Sequence, residues 1–176
     1  MSEMGRTTVT APREPDPALF RRAMGSFPTG VTLVTRGAGE NLQAMTANSV
    51  TSVSLEPLLV MVGVTATGRI GKEIRAEGSF AINILAREQQ YLSKLFAKSD
   101  RPSGLAAAEH LGGNVGATGN GFVDGALATM ECVLEQLHPA GDHILLLGRV
   151  TAIHLGDPTK PPLVFFRGGY TELVNG

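Results

Sequence analysis

At 176 residues, with 43% hydrophobic and 18% charged side chains, the chain has the composition of one globular domain large enough to bury a proper core. A net charge of −1 lacks the basic excess that a nucleic-acid binder needs, and the longest apolar run, Leu58 to Val64, is too short to cross a bilayer. The single cysteine, Cys132, excludes an internal disulfide and a thiolate metal cluster, and no charged-then-apolar leader opens the sequence, so a cytoplasmic protein is expected.

Residues 1–15 are polar, with Pro12, Pro15 and Pro17 close together, and are expected to form a disordered tail ahead of one domain over 16–176. Asp16 followed by Pro17 signals a helix start, with an acidic cap and a proline in the first turn. Leu19, Phe20, Ala23, Met24 and Phe27 then fall at helical spacing and predict one apolar face, and Gly25 and Pro28 end the helix. Val31 to Thr35 is rich in β-branched residues and reads as a strand, with Gly37 to Asn41 as the turn out of it.

The next stretch, Ala44 to Pro57, reads as a strand of unusual chemistry. Thr46, Asn48 and Ser52 fall on one side of an extended segment, and Met45, Ala47 and Val53 on the other. A strand facing only a dry core would not carry so many hydroxyls, because each buried one needs a partner. One reading is a polar edge that meets a planar, hydrogen-bonding ligand; the other is a barrel strand whose hydroxyls are satisfied internally. After Pro57, the run Leu58 to Val64 predicts a strand buried on both faces. Thr65 to Arg69 is a small polar loop, and Ile70 to Glu77 a short helix closed by Gly78.

Ser79 to Leu85 predicts a further strand, with Phe80, Ile82 and Ile84 on one face and Asn83 on the other. Arg87 to Lys98 is helical, with Tyr91, Leu92, Leu95 and Phe96 as its apolar stripe. Between Pro102 and Asp124 the chain is rich in Gly, Ala and Asn and is expected to be the least structured part. Ala126 to Leu137 and Ile144 to Leu155 form a β-hairpin joined by 138–142, and Leu163 to Phe166 is a last strand with Tyr170 just beyond it. Cys132 lies in an apolar run and reads as an inert core thiol. Strands outnumber helices without alternating regularly with them, which favours an antiparallel, barrel-like sheet with peripheral helices over a doubly wound fold.

Several chemistries lack their motifs. No G-x-G-x-x-G follows a strand, the glycines from Gly112 to Gly121 lack a Gly-Lys-Ser/Thr ending, and there is neither a G-x-S-x-G nor a His-Glu-x-x-His. His110, His138, His143 and His154 have no recognisable metal spacing, so no metal site is expected.

Taken in order, Phe27-Pro28-Thr29-Gly30-Val31-Thr32, Met45 to Ser49 with Ser52-Val53-Ser54, Pro57 to Val60, Gly141-Asp142-His143 and Phe166 to Tyr170 resemble the flavin reductase domain family. The likeness runs from about Phe20 to Tyr170. It implies a mainly β fold, an FMN-binding split β-barrel with an antiparallel, Greek-key-like sheet, assembled as a homodimer. It implies an NAD(P)H:flavin oxidoreductase that passes hydride from NADH or NADPH to FMN or FAD and supplies a separate flavin-dependent monooxygenase. The wider split-barrel group, including proteins similar to pyridoxamine-phosphate oxidase, and a non-catalytic flavin-binding protein are the alternatives.

On that resemblance Thr46, Ala47, Asn48 and Ser49 run along the edge of the flavin ring, with Thr29, Ser52 and Val53 in the same segments. Reduction puts negative charge on one edge of the ring, so donors aimed there assist it. Thr65, Thr67 and Arg69 would meet the flavin phosphate at the start of a helix, where free N–H groups favour an anion; a solvated loop is the alternative. Gly68, Ile70 and Gly71 depart from the family's more polar loop. Asn83 is either a flavin contact or a buried amide tied to the backbone. His143 would serve the nicotinamide from a hairpin tip, with Tyr170 in support; the alternative is a turn histidine capping its own hairpin. Arg149 and Arg167 read as surface or interface charges.

Overall fold

In the computed structural model, which describes residues 15–173, chain order sets two antiparallel sheets and four α-helices around two apolar cores. Helix α1 (Pro17–Gly25) starts as its sequence dictates: the Asp16 carboxylate accepts from Ala18 N at 3.0 Å, satisfying one of the free amides of the first turn. Its apolar face, however, is left largely uncovered by the described residues. No residue of α1 is buried, and Phe20, Met24 and the following Phe27 are all more than half exposed. The expected tail lies outside the described residues except for Pro15.

The large sheet has the order β3 (Gln43–Ala47), β2 (Thr32–Arg36), β6 (Ser79–Ile84), β7 (Ala128–Ala140), β8 (His143–Leu155), β5 (Leu58–Thr65), β4 (Val50–Leu55). A smaller sheet orders β1 (Thr29–Gly30), β9 (Val164–Phe166) and β10 (Gly169–Thr171). Every strand pair is antiparallel. The mainly β, split-barrel architecture with peripheral helices is therefore the one expected.

Strand β2 shows how the layers are built. Leu33 and Val34 are both fully buried, yet alternation sends Leu33 to one core and Val34 to the other. The strands buried on both faces are thus β2 and its neighbour β6, where Phe80, Ala81, Ile82 and Asn83 are all buried. Strand β5 is not: Val60, Val62 and Val64 are buried, whereas Met61 and Gly63 are only half-buried. The core that contains Val34 also takes Phe80, Ile82 and Leu146, and α2 (Arg69–Glu77) plugs it with Ile70 and Ile74. Each of those side chains contributes about 1.5–3 kcal/mol by leaving water. Gly71 permits the approach, because a Cβ there would meet Val64 Cγ2 at 2.9 Å. Gly78 closes α2 in the left-handed conformation, as its position predicts.

The second core lies between the sheet and α3 (Gln90–Phe96), with Leu33, Leu85, Leu92, Phe96 and Leu163 among its members. Tyr91 does not join the stripe and is 57% exposed. The Gly-, Ala- and Asn-rich segment is more ordered than its composition suggests. It holds α4 (Leu105–Leu111), ended by Gly112 with φ 102°, and a bridge between Val115 and Gly121. Its amides supply the order that apolar periodicity does not: Asn120 Oδ1 accepts from Gly37 N, and its Nδ2 donates to Ser79 Oγ and Thr118 Oγ1.

Candidate active site

The segment expected as one polar-edged strand is two strands. Strands β3 and β4 are the opposite edges of the large sheet, and the chain passes from one to the other through Asn48 and Ser49. The Ser49 hydroxyl donates to Gly63 O at 2.8 Å while Gly63 N donates to Ser49 O at 3.1 Å, so this serine clasps the link onto β5. Asn48 is exposed, and its amide makes no hydrogen bond among the described residues.

A cavity of about 210 Å³ opens beside this link. Thr46, Asn48, Ser93 and Tyr170 give it polar groups, and Val31, Ala97 and Phe165 give it apolar walls. Its polar groups are held from several directions. Thr46 Oγ1 donates to Ser93 O at 2.7 Å, and the Ser93 and Tyr170 hydroxyl oxygens lie 2.7 Å apart. The Tyr170 ring packs edge-on against Phe165 with centroids 5.5 Å apart, and Lys94 Nζ lies 5.6 Å from its centre. Tyr170 belongs to strand β10, in register with Phe165, rather than to a loop after the last strand. Thr29 stands opposite Phe165 on β1, and its buried hydroxyl has no partner among the described residues.

Other expected contacts fall elsewhere. Asn83 is fully buried and engaged on both ends of its amide. Nδ2 donates to Leu33 O and Thr35 Oγ1, and Oδ1 accepts from Val123 N and Thr129 Oγ1. It is a brace between β2, β6 and β7 with no capacity left for a flavin. Ala47 turns its methyl into the core, and its carbonyl accepts from Thr32 Oγ1 at 2.7 Å. Ser52 and Val53 sit on the exposed face of β4 at a register shift, away from the cavity lining.

A second cluster forms at the far end of β5. Thr65 pairs with His143 across β5 and β8, and Ala66 N donates to Asp142 O at 3.0 Å. The loop carrying Thr65 and Thr67 then leads through Gly68 into α2, whose first turn begins with exposed Arg69 and has no side-chain cap. Strands β7 and β8 continue to Ala140 and His143, so the hairpin turn is only Gly141 and Asp142. His143 Nδ1 lies 2.8 Å from Asp142 Oδ1, and the His143 side chain is half exposed. That hydrogen bond, together with the imidazole charge, holds the exposed Asp142 carboxyl below its usual range. His143 and Tyr170 make no hydrogen bond to each other; each is oriented by its own neighbour. The two clusters are joined through Ser49, which binds Gly63 two residues before Thr65.

Sequence reasoning passed over Ser93, Phe165, Val31 and Ala97. The one available signal was Ser93, a polar residue on a helix face that also buries Leu92 and Phe96 and so requires a partner.

A profile of the flavin reductase like domain family matches residues 24–174. The NADH-dependent FMN reductase AsuE2 of Streptomyces nodosus subsp. asukaensis is 49% identical over 91% of this chain and 86% of its own. The reductase component of 4-hydroxyphenylacetate 3-monooxygenase from Thermus thermophilus is 37% identical over 88% of this chain and 95% of its own. Among solved structures, the NADH:FAD oxidoreductase SgcE6 of Streptomyces globisporus C-1027 superposes with a TM-score of 0.83 and 34% identity, covering 94% of this chain and 100% of its own.

Proposed function

The chain belongs to the flavin reductase like domain family, and from that membership we infer that it is an NADH-dependent flavin reductase whose product feeds a separate flavin-dependent monooxygenase. The observation that carries the reading to particular residues is the half-apolar, half-polar cavity on the Asn48–Ser49 link. Its chemistry suits a planar heterocycle: Phe165 and Val31 offer apolar surface, while Asn48, Thr46 and Tyr170 offer hydrogen-bonding groups. The unpartnered hydroxyl of Thr29 beside Phe165 is a further group that a bound ligand would satisfy.

Bound flavin supplies the hydride acceptor and NADH the hydride, so no side chain has to act as acid, base or nucleophile. The work left to this chain is positioning. Asn48 holds one edge of the ring, and Thr46 and Tyr170, braced by Ser93, fix its depth. Thr65, Thr67 and the start of α2 face the phosphate side, with Arg69 supplying charge. His143, oriented by Asp142, meets the nicotinamide from the hairpin tip. These groups suit either FMN or FAD, whose ring and first phosphate are the same.

A cavity of about 210 Å³ is smaller than the several hundred ångström³ usual for a cofactor pocket, which supports completion by a second copy of the chain. Exposed Phe20, Met24 and Phe27 near α1, with Val53, Leu55 and Leu58 on β4 and β5, supply apolar surface for such a homodimer. Residues 16–176 act as one reductase domain, and the cytoplasm suits its lone buried cysteine.

The test is anaerobic: protein and oxidised FMN or FAD are mixed with NADH, and loss of flavin colour is followed. Acceleration over the protein-free rate is expected, together with a dimer by light scattering. Flavin uptake without NADH-driven bleaching would indicate a binding protein instead.

A further inference from the structure

The cleft between α1 and the β9–β10 turn gathers three arginines outside the candidate active site. Arg21 and Arg22 on α1 and Arg167 in the turn line a concave space of about 670 Å³. Arg36, Arg87 and Arg149 each pair with a glutamate, but among the described residues none of these three does. Guanidinium groups gathered in one cleft repel one another until an anion joins them.

Arg167 is also built into its place. Its N–H donates to Gly25 O at 2.8 Å, and its guanidinium carbon lies 4.9 Å from the centre of the Phe166 ring. With φ 49° it is the one non-glycine residue at positive φ among those described, although Gly168 and Gly169 follow it directly. A backbone of that shape favours glycine, so an arginine kept there points to a task for its side chain.

The turn that carries Arg167 is continuous with one strand of the candidate active site. Arg167 and Tyr170 belong to one hairpin, in which Phe166 pairs with Gly169 and Phe165 with Tyr170. Arg21 lies near enough to Asp142 that its charge adds to the hydrogen bond and charge of His143 in holding that carboxyl low. We propose that Arg21, Arg22 and Arg167 form a subsite for the diphosphate-linked adenylate half common to NADH and FAD. The inference rests on the reductase reading above. Two adjacent phosphates present the paired oxygens that guanidinium forks bind bidentately, and Leu19 and Ala23, which also line the cleft, offer apolar surface to the adenine.

Binding of ADP-ribose, measured by calorimetry on the intact protein, tests the subsite without requiring turnover. The variants are R21Q/R22Q and, separately, R167G, which suits the left-handed backbone. Each should weaken ADP-ribose by about tenfold or more, the scale of a lost charge-assisted contact. If NADH is the occupant, its KM with FMN as acceptor rises by a similar factor, and more than that for 1-benzyl-1,4-dihydronicotinamide, which has no phosphate. If FAD is the occupant, its Kd rises more than that of FMN. Changes below about threefold in ADP-ribose binding for both variants would overturn the subsite. Failure of NADH to reduce flavin with the unmodified protein would instead overturn the reductase reading, whatever ADP-ribose does.

Discussion

The hydroxyl oxygens of Tyr170 and Ser93 lie 2.7 Å apart, which ties the small sheet to α3 at the wall of the cavity that both residues line. Ser93 is 1% exposed, so removal of its partner leaves a buried hydroxyl short of one bond. Tyr170→Phe keeps the ring against Phe165 and Lys94 but loses this link. The variant should be less stable by roughly 1–3 kcal/mol in urea titration and should bind flavin more weakly. A midpoint and flavin affinity equal to those of the unmodified protein would show that the bond positions nothing.

Asn48 and Ser49 are neighbours with different expected effects. The Asn48 amide is exposed without a hydrogen bond among the described residues, so Asn48→Ala should leave the melting temperature near its original value. Loss of an amide contact to the ring should weaken flavin by about tenfold. Ser49→Ala removes the 2.8 Å bond to Gly63 O, and its first effect should be on stability. Fluorescence titration with FMN and FAD beside thermal melts separates the two. Unchanged flavin affinity in Asn48→Ala would remove that residue from the ring edge.

His143 opens β8 directly after the two-residue hairpin turn, with its Nδ1 held by Asp142 at 2.8 Å. His143→Ala should raise the KM for NADH or slow flavin reduction in anaerobic stopped flow, while the flavin Kd moves little. Asp142→Asn should act in the same direction and more weakly, because it only loosens the ring's orientation. A loss confined to flavin binding would place His143 on the flavin instead.

Glu131 provides a pH test away from the cavity. Burial pushes its carboxyl up, but hydrogen bonds from Thr118 N, His154 Nε2 and Thr118 Oγ1 outweigh that, and the net shift is downward from 4.5. A carboxyl lowered in the folded state adds stability that is complete above its unfolded value and is lost as pH falls through the folded one. Glu131→Gln should therefore melt below the unmodified protein at pH 7. Between about pH 4.5 and more acid conditions the difference should narrow. Parallel acid profiles for the two proteins would show that Glu131 carries no such linkage.

Much of the fold was legible because its signals are local. Asp16 and Pro17 start a helix through their own backbone chemistry, Gly78 ends one by its left-handed freedom, a β-branched run marks β2, and apolar alternation marks β6. The order of Thr29, Thr46, Asn48, His143 and Tyr170 along the chain carried the family resemblance. Sequence alone left Asn83 open between ligand and core, since an amide on an apolar strand satisfies either description. Only the packing of β2, β7 and Val123 around it supplied four partners and closed the question.

The cavity was likewise a tertiary decision. Thr46 finds its acceptor 47 positions away on Ser93, and Ser93 finds Tyr170 77 positions further on. A sequence states which residues need hydrogen-bond partners; it does not state which distant groups arrive to meet them. The same distinction explains α1, whose amphipathic spacing was plain while the described residues leave its apolar face more than half exposed. Local chemistry set the elements, the edge-strand motif and the family. The meeting of β3, α3 and the small sheet, fixed by burial of two separate cores, decided which of the candidate side chains share a site.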